Sequence, residues 1–301
     1  MKRRVILFIN SKKKNARDFS AEVLEELSSL KIDTDSFLIG KDQEVASGKA
    51  YDVAISLGGD GTVLSTARIM SPLGVPVFPV NLGTFGFIAG IQPSEWKDVF
   101  REWLEDKVPI SRRLMLEVKV LRKGEEIFQG CCLNDVVISA PAIAKIINLK
   151  VSFTETDRNN VLKLGSYHSD GIVISTPTGS TAYSAAAGGP IIDPELETVV
   201  LNPICPFTLT HRPMVLPAVD TVSIEIEIEE EQRNSLMLTV DGQVHKKLKK
   251  GDIVYLKKAP YNCLLVASGR AGFYQALRTK LAWIGEDKSQ PAQVAGSGND
   301  D

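Results

Sequence analysis

The chain is poor in the features that mark several protein classes. It has four cysteines in 301 residues: Cys131 and Cys132 are adjacent, Cys205 and Cys263 stand apart, and no CxxC spacing occurs. A disulfide scaffold is therefore excluded, and reduced structural thiols are expected. His168, His211 and His245 form no HExxH or paired-ligand pattern, so a structural transition-metal site is not expected. No run approaches the roughly 18 apolar residues of a membrane span. Val5 to Ile9, after the basic start Met1–Arg4, is too short for a signal-peptide core. Charge of one sign is lacking too. The 35 Lys+Arg stand against 37 Asp+Glu, a formal net charge of −2, whereas a nucleic-acid footprint needs a strong basic surplus. A soluble, cytoplasmic protein with neither nucleic-acid nor membrane partner is expected.

What is present is globular: 44% hydrophobic and 24% charged residues, in a length that suits two domains. The first third alternates strand and helix signals. Arg4 to Asn10 reads as a buried strand, and Asp18 to Leu30 as a helix with Phe19, Val23, Leu24, Leu27 and Leu30 at helical spacing. Asp52 to Leu57 is a second strand. Val75 to Asn81 is a third, where Pro76 and Pro79 suggest an edge or short strand. Ser94 reads as the N-cap of a helix carrying Trp96, Val99, Phe100, Trp103 and Leu104 on one stripe. This order implies an α/β nucleotide-binding domain with a parallel sheet over residues 1–110.

From about Pro109 the period changes from 3.6 to 2. Val222, Ile224, Ile226 and Ile228 alternate with Ser223, Glu225 and Glu227, and similar patterns run through 114–120 and 147–153. Residues 111–270 are thus expected to form a mostly antiparallel β domain. Residues 271–285 are expected to pack back on the body, and 286–301 to be a disordered tail.

Gly58-Gly59-Asp60-Gly61-Thr62 is the sharpest local feature, set between a buried strand and the helical run Val63 to Met70. Glycines there let the backbone approach a phosphate, and the following helix offers unpaired N–H groups. A carboxylate facing phosphates is repulsive unless Asp60 meets a divalent cation or acts as base toward a hydroxyl nucleophile. The same five residues also suit a tight turn with Asp60 as a helix cap. The turn matches neither GxxxxGK[ST] nor GxGxxG. A second cluster, Asn81 to Phe87, contains Gly83, Phe85 and Gly86 and could line the same crevice. The stretch Thr176-Pro177-Thr178-Gly179-Ser180-Thr181-Ala182-Tyr183 is dense in hydroxyls and small residues. Such a run would make a poor core and suits a polar, ring-bearing ligand, with Tyr183 able to stack on a ring.

Taken together these motifs resemble one family. The glycine turn also occurs in lipid kinases of the diacylglycerol type and in phosphofructokinases. The further runs Asn81-Leu82-Gly83, Asn134-Asp135, Thr176 to Tyr183, Arg212-Pro213 and Asp241-Gly242-Gln243 single out the NAD kinases, in matching order from about residue 5 to 280. The resemblance implies transfer of the ATP γ-phosphate to the 2′-hydroxyl of the adenosine ribose of NAD, giving NADP. It implies a C-terminal β-sandwich, a divalent cation (Mg²⁺ or Mn²⁺) held mainly by ATP phosphates with Asp60, and a homodimer or homotetramer. The family proton acceptor falls on Asp60. Its nucleotide-binding positions fall on Gly58, Gly59, Gly61, Thr62, Asn81, Gly83, Phe85, Asn134, Asp135, Lys145, His168, Asp170, Thr181, Ala182, Tyr183, Ala186, Arg212 and Gln243.

Three positions depart from the family pattern. Asp135 replaces the usual Glu and is one methylene shorter, Ala186 replaces a common Ser, and Phe207 stands where His is frequent. Two other classes compete. A lipid kinase would carry a basic or apolar surface segment, and a nucleotide sensor without turnover would have little use for Asp60.

Overall fold

The computed structural model describes residues 3–11, 13–40, 49–83, 86–140, 146–208, 210–227 and 236–281. Phe85, Lys145, Ile228 and the tail from 286 lie outside the described residues. In chain order the first elements are β1 (Arg4–Asn10), α1 (Lys14–Ser29), β2 (Asp33–Ile39), β3 (Val53–Gly58) and α2 (Asp60–Met70). They are followed by β4 (Val77–Asn81), α3 (Trp96–Leu104) and β5 (Ile110–Arg113). Then come β6 (Leu116–Arg122), β7 (Glu125–Cys132), β8 (Asp135–Ser139), β9 (Ile147–Glu155), β10 (Asn160–Ser169), β11 (Gly171–Ser175), α4 (Tyr183–Ala186), β12 (Thr198–Ile204) and β13 (Met214–Pro217). The last are β14 (Thr221–Glu227), β15 (Leu236–Val240), β16 (Val244–Leu248), β17 (Ile253–Lys258), β18 (Cys263–Val266) and α5 (Arg270–Leu281).

Three six-stranded sheets result. The first, ordered β2-β1-β3-β4-β18-β5, is parallel except for the antiparallel pairing of β5 with β18. Its inner strands β1, β3 and β4 are buried on both faces, which explains their apolar runs, whereas the edge strands β2 and β5 are partly exposed. One face packs on α1 and α3 through Val23, Leu27, Trp96, Phe100 and Trp103. The other packs on Val63, Ala67 and Met70 of α2, and on Met115, Cys131 and Leu133, which flank or belong to the antiparallel strands β6 and β7. The remaining sheets, β10-β9-β14-β17-β6-β7 and β13-β12-β11-β8-β15-β16, are antiparallel. They enclose a common core that includes Val118, Ile138, Leu149, Ile174, Ile224 and Leu238. Alternation of apolar with polar residues follows from one buried face per sheet.

Two local expectations are corrected. Pro79 lies in a short strand, but β4 is interior, flanked by β3 and β18. It is tolerated because β18 pairs with β4 at Val77 alone, and the next partner on that side, Ile91, donates its N–H to the Pro79 carbonyl at 3.3 Å and needs no N–H from the proline. Ser94 does not cap α3: the N-cap is Glu95, whose Oε1 accepts the Gln92 N–H at 2.9 Å. Three of the four free thiols are buried and that of Cys205 is exposed.

Candidate active site

The order of the first sheet reverses at β1, with β2 on one side and β3 on the other. Ligands in open α/β sheets bind at such a point, outside the strand carboxyl ends. A cavity of about 560 Å³ lies there, walled by Asn10, Gly40, Gly59, Gly61, Lys13, Arg68 and Gln243 among others. Gly59 has no atom within 4 Å of where a Cβ would stand, so its backbone is open to a ligand. Gly58 is glycine for a different reason: a Cβ would meet Thr62 Oγ1 at 2.0 Å. Lys13 was not picked out by sequence. Its signal was the basic run that directly follows the first strand.

Asp60 opens α2 one residue past the N-cap, which is Gly59, so it does not hold the cap position. It reaches across to a segment 27 to 29 residues later. Oδ2 accepts the Phe87 N–H at 3.0 Å, and Oδ1 accepts those of Ile88 and Ala89 at 3.3 and 2.9 Å. Gly86 must be glycine, since a Cβ would fall 1.9 Å from Asp60 Oδ1. A carboxylate has about four acceptor sites, so three are spent on this segment and about one is left. Asn81 shapes the approach to it: its Oδ1 accepts the Gly83 N–H at 3.0 Å.

A second cavity of about 400 Å³ lies on the sandwich, walled by Asn134, Asp135, Ala182, Tyr183, Thr239 and Asp241, among others. Asn134 Oδ1 is buried there without a partner, an acceptor awaiting a donor. Burial, and then the charge of Asp241, push the Asp135 carboxyl up to about 7. Tyr183 is 46% exposed at the rim. The hydroxyls of the 175–184 stretch are a correction to the sequence reading, because most of them serve the fold. Thr176 N–H donates to Asn134 O at 2.8 Å, and Thr176 Oγ1 donates to Leu133 O at 2.5 Å. Ser180 Oγ donates to Pro177 O at 2.7 Å and accepts the Ile192 N–H at 3.0 Å. Gly179 packs so closely that a Cβ would lie 2.1 Å from Asn134 O. The run braces Asn134 and presents Ala182 and Tyr183.

The two cavities are tied by one polar chain. Gln243 Nε2 donates to Gly61 O at 2.7 Å, while its Oε1 accepts from Ser65 Oγ at 2.7 Å and also from Arg68. Arg68 Nη1 pairs with Asp241 Oδ2 at 3.0 Å. Asp241 in turn accepts the N–H groups of Leu133, Asn134 and Asp135 at 3.2, 2.8 and 3.3 Å. Burial pushes the Asp241 carboxyl up, and Arg68 and these N–H groups pull it back. Gln243 thus sits at the glycine turn, apart from the walls of the sandwich cavity. Several expected residues are in neither set of walls. Gly58, Asp60 and Thr181 adjoin wall residues in the chain, Asn81 pairs with Gly58 and holds Gly83, and Ala186 shares α4 with Tyr183. By contrast, His168 is exposed on β10, Asp170 joins β10 to β11, and Arg212 is exposed just before β13. Ala186 ends α4 and is exposed, Thr181 is half-buried, and Phe207 is 76% exposed. Arg68 and Asp241 emerge as joining residues, a role visible only once the turn after β15 meets α2.

A parallel sheet with a glycine turn at its switch point, joined to an antiparallel sandwich with a polar cavity, defines a two-domain nucleotide-binding protein. Residues 7–108 match the ATP-NAD kinase N-terminal domain and residues 133–268 the ATP-NAD kinase C-terminal domain. The NAD kinase of Treponema denticola is 40% identical over 284 residues, covering 94% of this chain and 97% of that protein. The NAD kinase of Aquifex aeolicus is 39% identical, covering 93% and 99%. A yeast NADH kinase solved with NADH shares the fold at a TM-score of 0.81, with 23% identity and coverage of 96% and 89%. An Archaeoglobus fulgidus NAD kinase solved with ATP gives 0.70, with 22% identity and coverage of 94% and 100%. The chain belongs to the NAD kinase family.

Proposed function

We propose that the protein transfers the γ-phosphate of ATP to the 2′-hydroxyl of the NAD adenosine ribose, with Asp60 taking the hydroxyl proton. The observation that carries the reading is the linkage of a glycine-walled cavity to a polar sandwich cavity through Gln243, Arg68 and Asp241. Phosphoryl transfer is catalysed mainly by position and charge. On this reading Gly59, Gly61, Thr62 and the start of α2 cradle the donor phosphates, with Lys13 beside them. Asn134 Oδ1 and Asp135 accept ribose hydroxyls, and Tyr183 stacks on the adenosine end. Lys145, His168, Asp170, Arg212 and Phe85 are further contacts, completed by a neighbouring subunit in a homodimer or homotetramer. The division into 1–110, 111–270 and a returning 271–285 segment follows the same scheme, and the Phe273 ring of α5 lies tilted beside that of Phe87, with 6.4 Å between centroids.

Among the described residues no cluster of three or more His, Cys, Asp or Glu could cage a metal ion. This fits Mg²⁺ or Mn²⁺ carried mainly by the triphosphate and water; Asp60 would face the ion through water, its one remaining acceptor site being kept for the hydroxyl proton. The cation supplies charge neutralisation on the transferred phosphoryl group. No described helix is long and apolar enough to cross a membrane, and we place the enzyme in the cytoplasm. Incubation of the pure protein with NAD, ATP and Mg²⁺ should yield NADP. NAD binding without NADP formation would refute the reading and leave a sensor.

A further inference from the structure

A third cavity, of about 330 Å³, shares no wall residue with the other two. It lies where the 86–90 segment, the end of β5 and the start of α5 meet, and its walls include Gly86, Phe87, Gln92, Arg113, Gly269 and Gly272. Arg113 is only 3% exposed. Its Nη2 donates to the Ser268 carbonyl, while Nε is buried without a partner. Among the described residues no carboxylate forms a salt bridge with it, whereas buried charges are normally paired. Desolvation pulls its pKa below the ordinary arginine range. Gln92 Nε2, on the same wall, is also buried without a partner.

Two further features favour negative charge in this space. Helix α5 runs twelve residues from Arg270 and has no acidic residue in its first turn. Its opening N–H groups lack intrahelical acceptors and carry the positive end of the helix dipole. Gly269 and Gly272 have nothing within 4 Å of a Cβ position, which leaves that end open. The carboxylate in the walls is that of Glu95, whose Oε1 is occupied by the Gln92 N–H at 2.9 Å.

We propose that this cavity is an oxyanion site that takes a phosphate group between the Arg113 guanidinium, the Gln92 amide and the opening turn of α5. Helix N-termini and arginine forks recur at phosphate sites for this reason. The anion supplies a close counter-charge to Arg113, on which Glu195 and Asp193 act only from beyond salt-bridge distance. It also braces the 86–89 segment, because Phe87 and Ile88, whose N–H groups hold the Asp60 carboxylate, line the same cavity.

Two variants test this without turnover, so failure here leaves the kinase reading untouched. Arg113→Met removes the cation. Gly272→Asp places a carboxylate in the cavity at a position where the first helical turn favours one and a side chain has room. Inorganic phosphate is titrated against the melting temperature at constant ionic strength. For the wild type a saturable rise of about 3–5 °C is expected at roughly ten times Kd. Both variants should lose that component. Phosphate bound at the glycine turn is common to all three proteins and cancels. General salting-out stabilisation is not saturable. A rise that is linear, or that survives in either variant, overturns the proposal and leaves Arg113 a brace for Ser268. Calorimetric titration with phosphate in the presence of saturating ATP then separates the sources. Undiminished phosphate binding assigns the site to the free ion, and competition assigns it to a phosphate of the nucleotide.

Discussion

Replacing Arg68 by Met should strand a buried charge. The Asp241 side chain is fully buried and that of Arg68 is 16% exposed, with 3.0 Å between them. Removing one partner of a buried pair costs about 3–5 kcal/mol, because the remaining charge loses its compensation. Asp241 keeps three backbone N–H donors, so the lower end applies, about 3 kcal/mol. At roughly 2–4 °C per kcal/mol for chains of this size, Tm should fall by about 6–12 °C. The loss should shrink in acid, since an uncompensated Asp241 can take up a proton. It should be larger at pH 8 than at pH 5. Adding Asp241→Asn to Arg68→Met removes the stranded charge and should recover at least half of the lost stability. Calorimetric melting of the four proteins, at both pH values, closes the cycle. A fall below about 1 kcal/mol, or no recovery in the double variant, would refute the argument that this pair joins the two halves.

Further predictions concern single residues. The Asp135 carboxyl is raised to about 7, so the protonated form is favoured by folding. Its stability contribution is full below about pH 4 and is lost as pH rises through 7. Asp135→Asn cannot ionise and should gain on the wild type across that window, by up to about 4 kcal/mol. A pH-independent Tm difference would contradict this. Gly179→Ala forces a Cβ onto the Asn134 backbone and should cost about 3 kcal/mol or more. Gly59→Ala, with open space around it, should keep Tm within a degree or two while raising the ATP KM. The reverse pattern would exchange their assigned roles. Tyr183→Ala should weaken NAD binding by about 1 kcal/mol, with little change in the ATP KM or Tm. An unchanged NAD constant with a lowered Tm would make Tyr183 a packing residue.

Much of the fold was legible because its signals are local. The parallel-sheet strands read as unbroken apolar runs and the sandwich strands as alternation, each dictated by how many faces are buried. What escaped was set by distant parts of the chain. Pro79 marks an edge by local chemistry, yet β18, which enters the sheet beside β4 from nearly 200 residues later, makes that strand interior. Ser94 is a good cap by type, but the chain turns helical only after Glu95. At the site, Asn134 and Asp135 were implied by the family resemblance and Tyr183 by its hydroxyl-rich surroundings, and the structure brings the three to one cavity. The hydroxyl-rich run misled because a hydroxyl serves a backbone carbonyl as readily as a ligand. The grip of the 87–89 N–H groups on Asp60 and the isolation of Arg113 had no local signature at all.

The central claim rests on Asp60, and turnover of Asp60→Asn tests it most directly. The amide keeps one acceptor oxygen for the 87–89 segment and loses the other, a cost of about 1–3 kcal/mol that leaves a folded protein. General-base catalysis contributes about 10²–10⁴-fold. Under saturating ATP, NAD and Mg²⁺, well below the melting temperature, NADP formation should fall by that factor while NAD affinity stays within a few-fold. Turnover near the wild-type value would contradict the account and leave Asp60 as a clamp for the neighbouring segment.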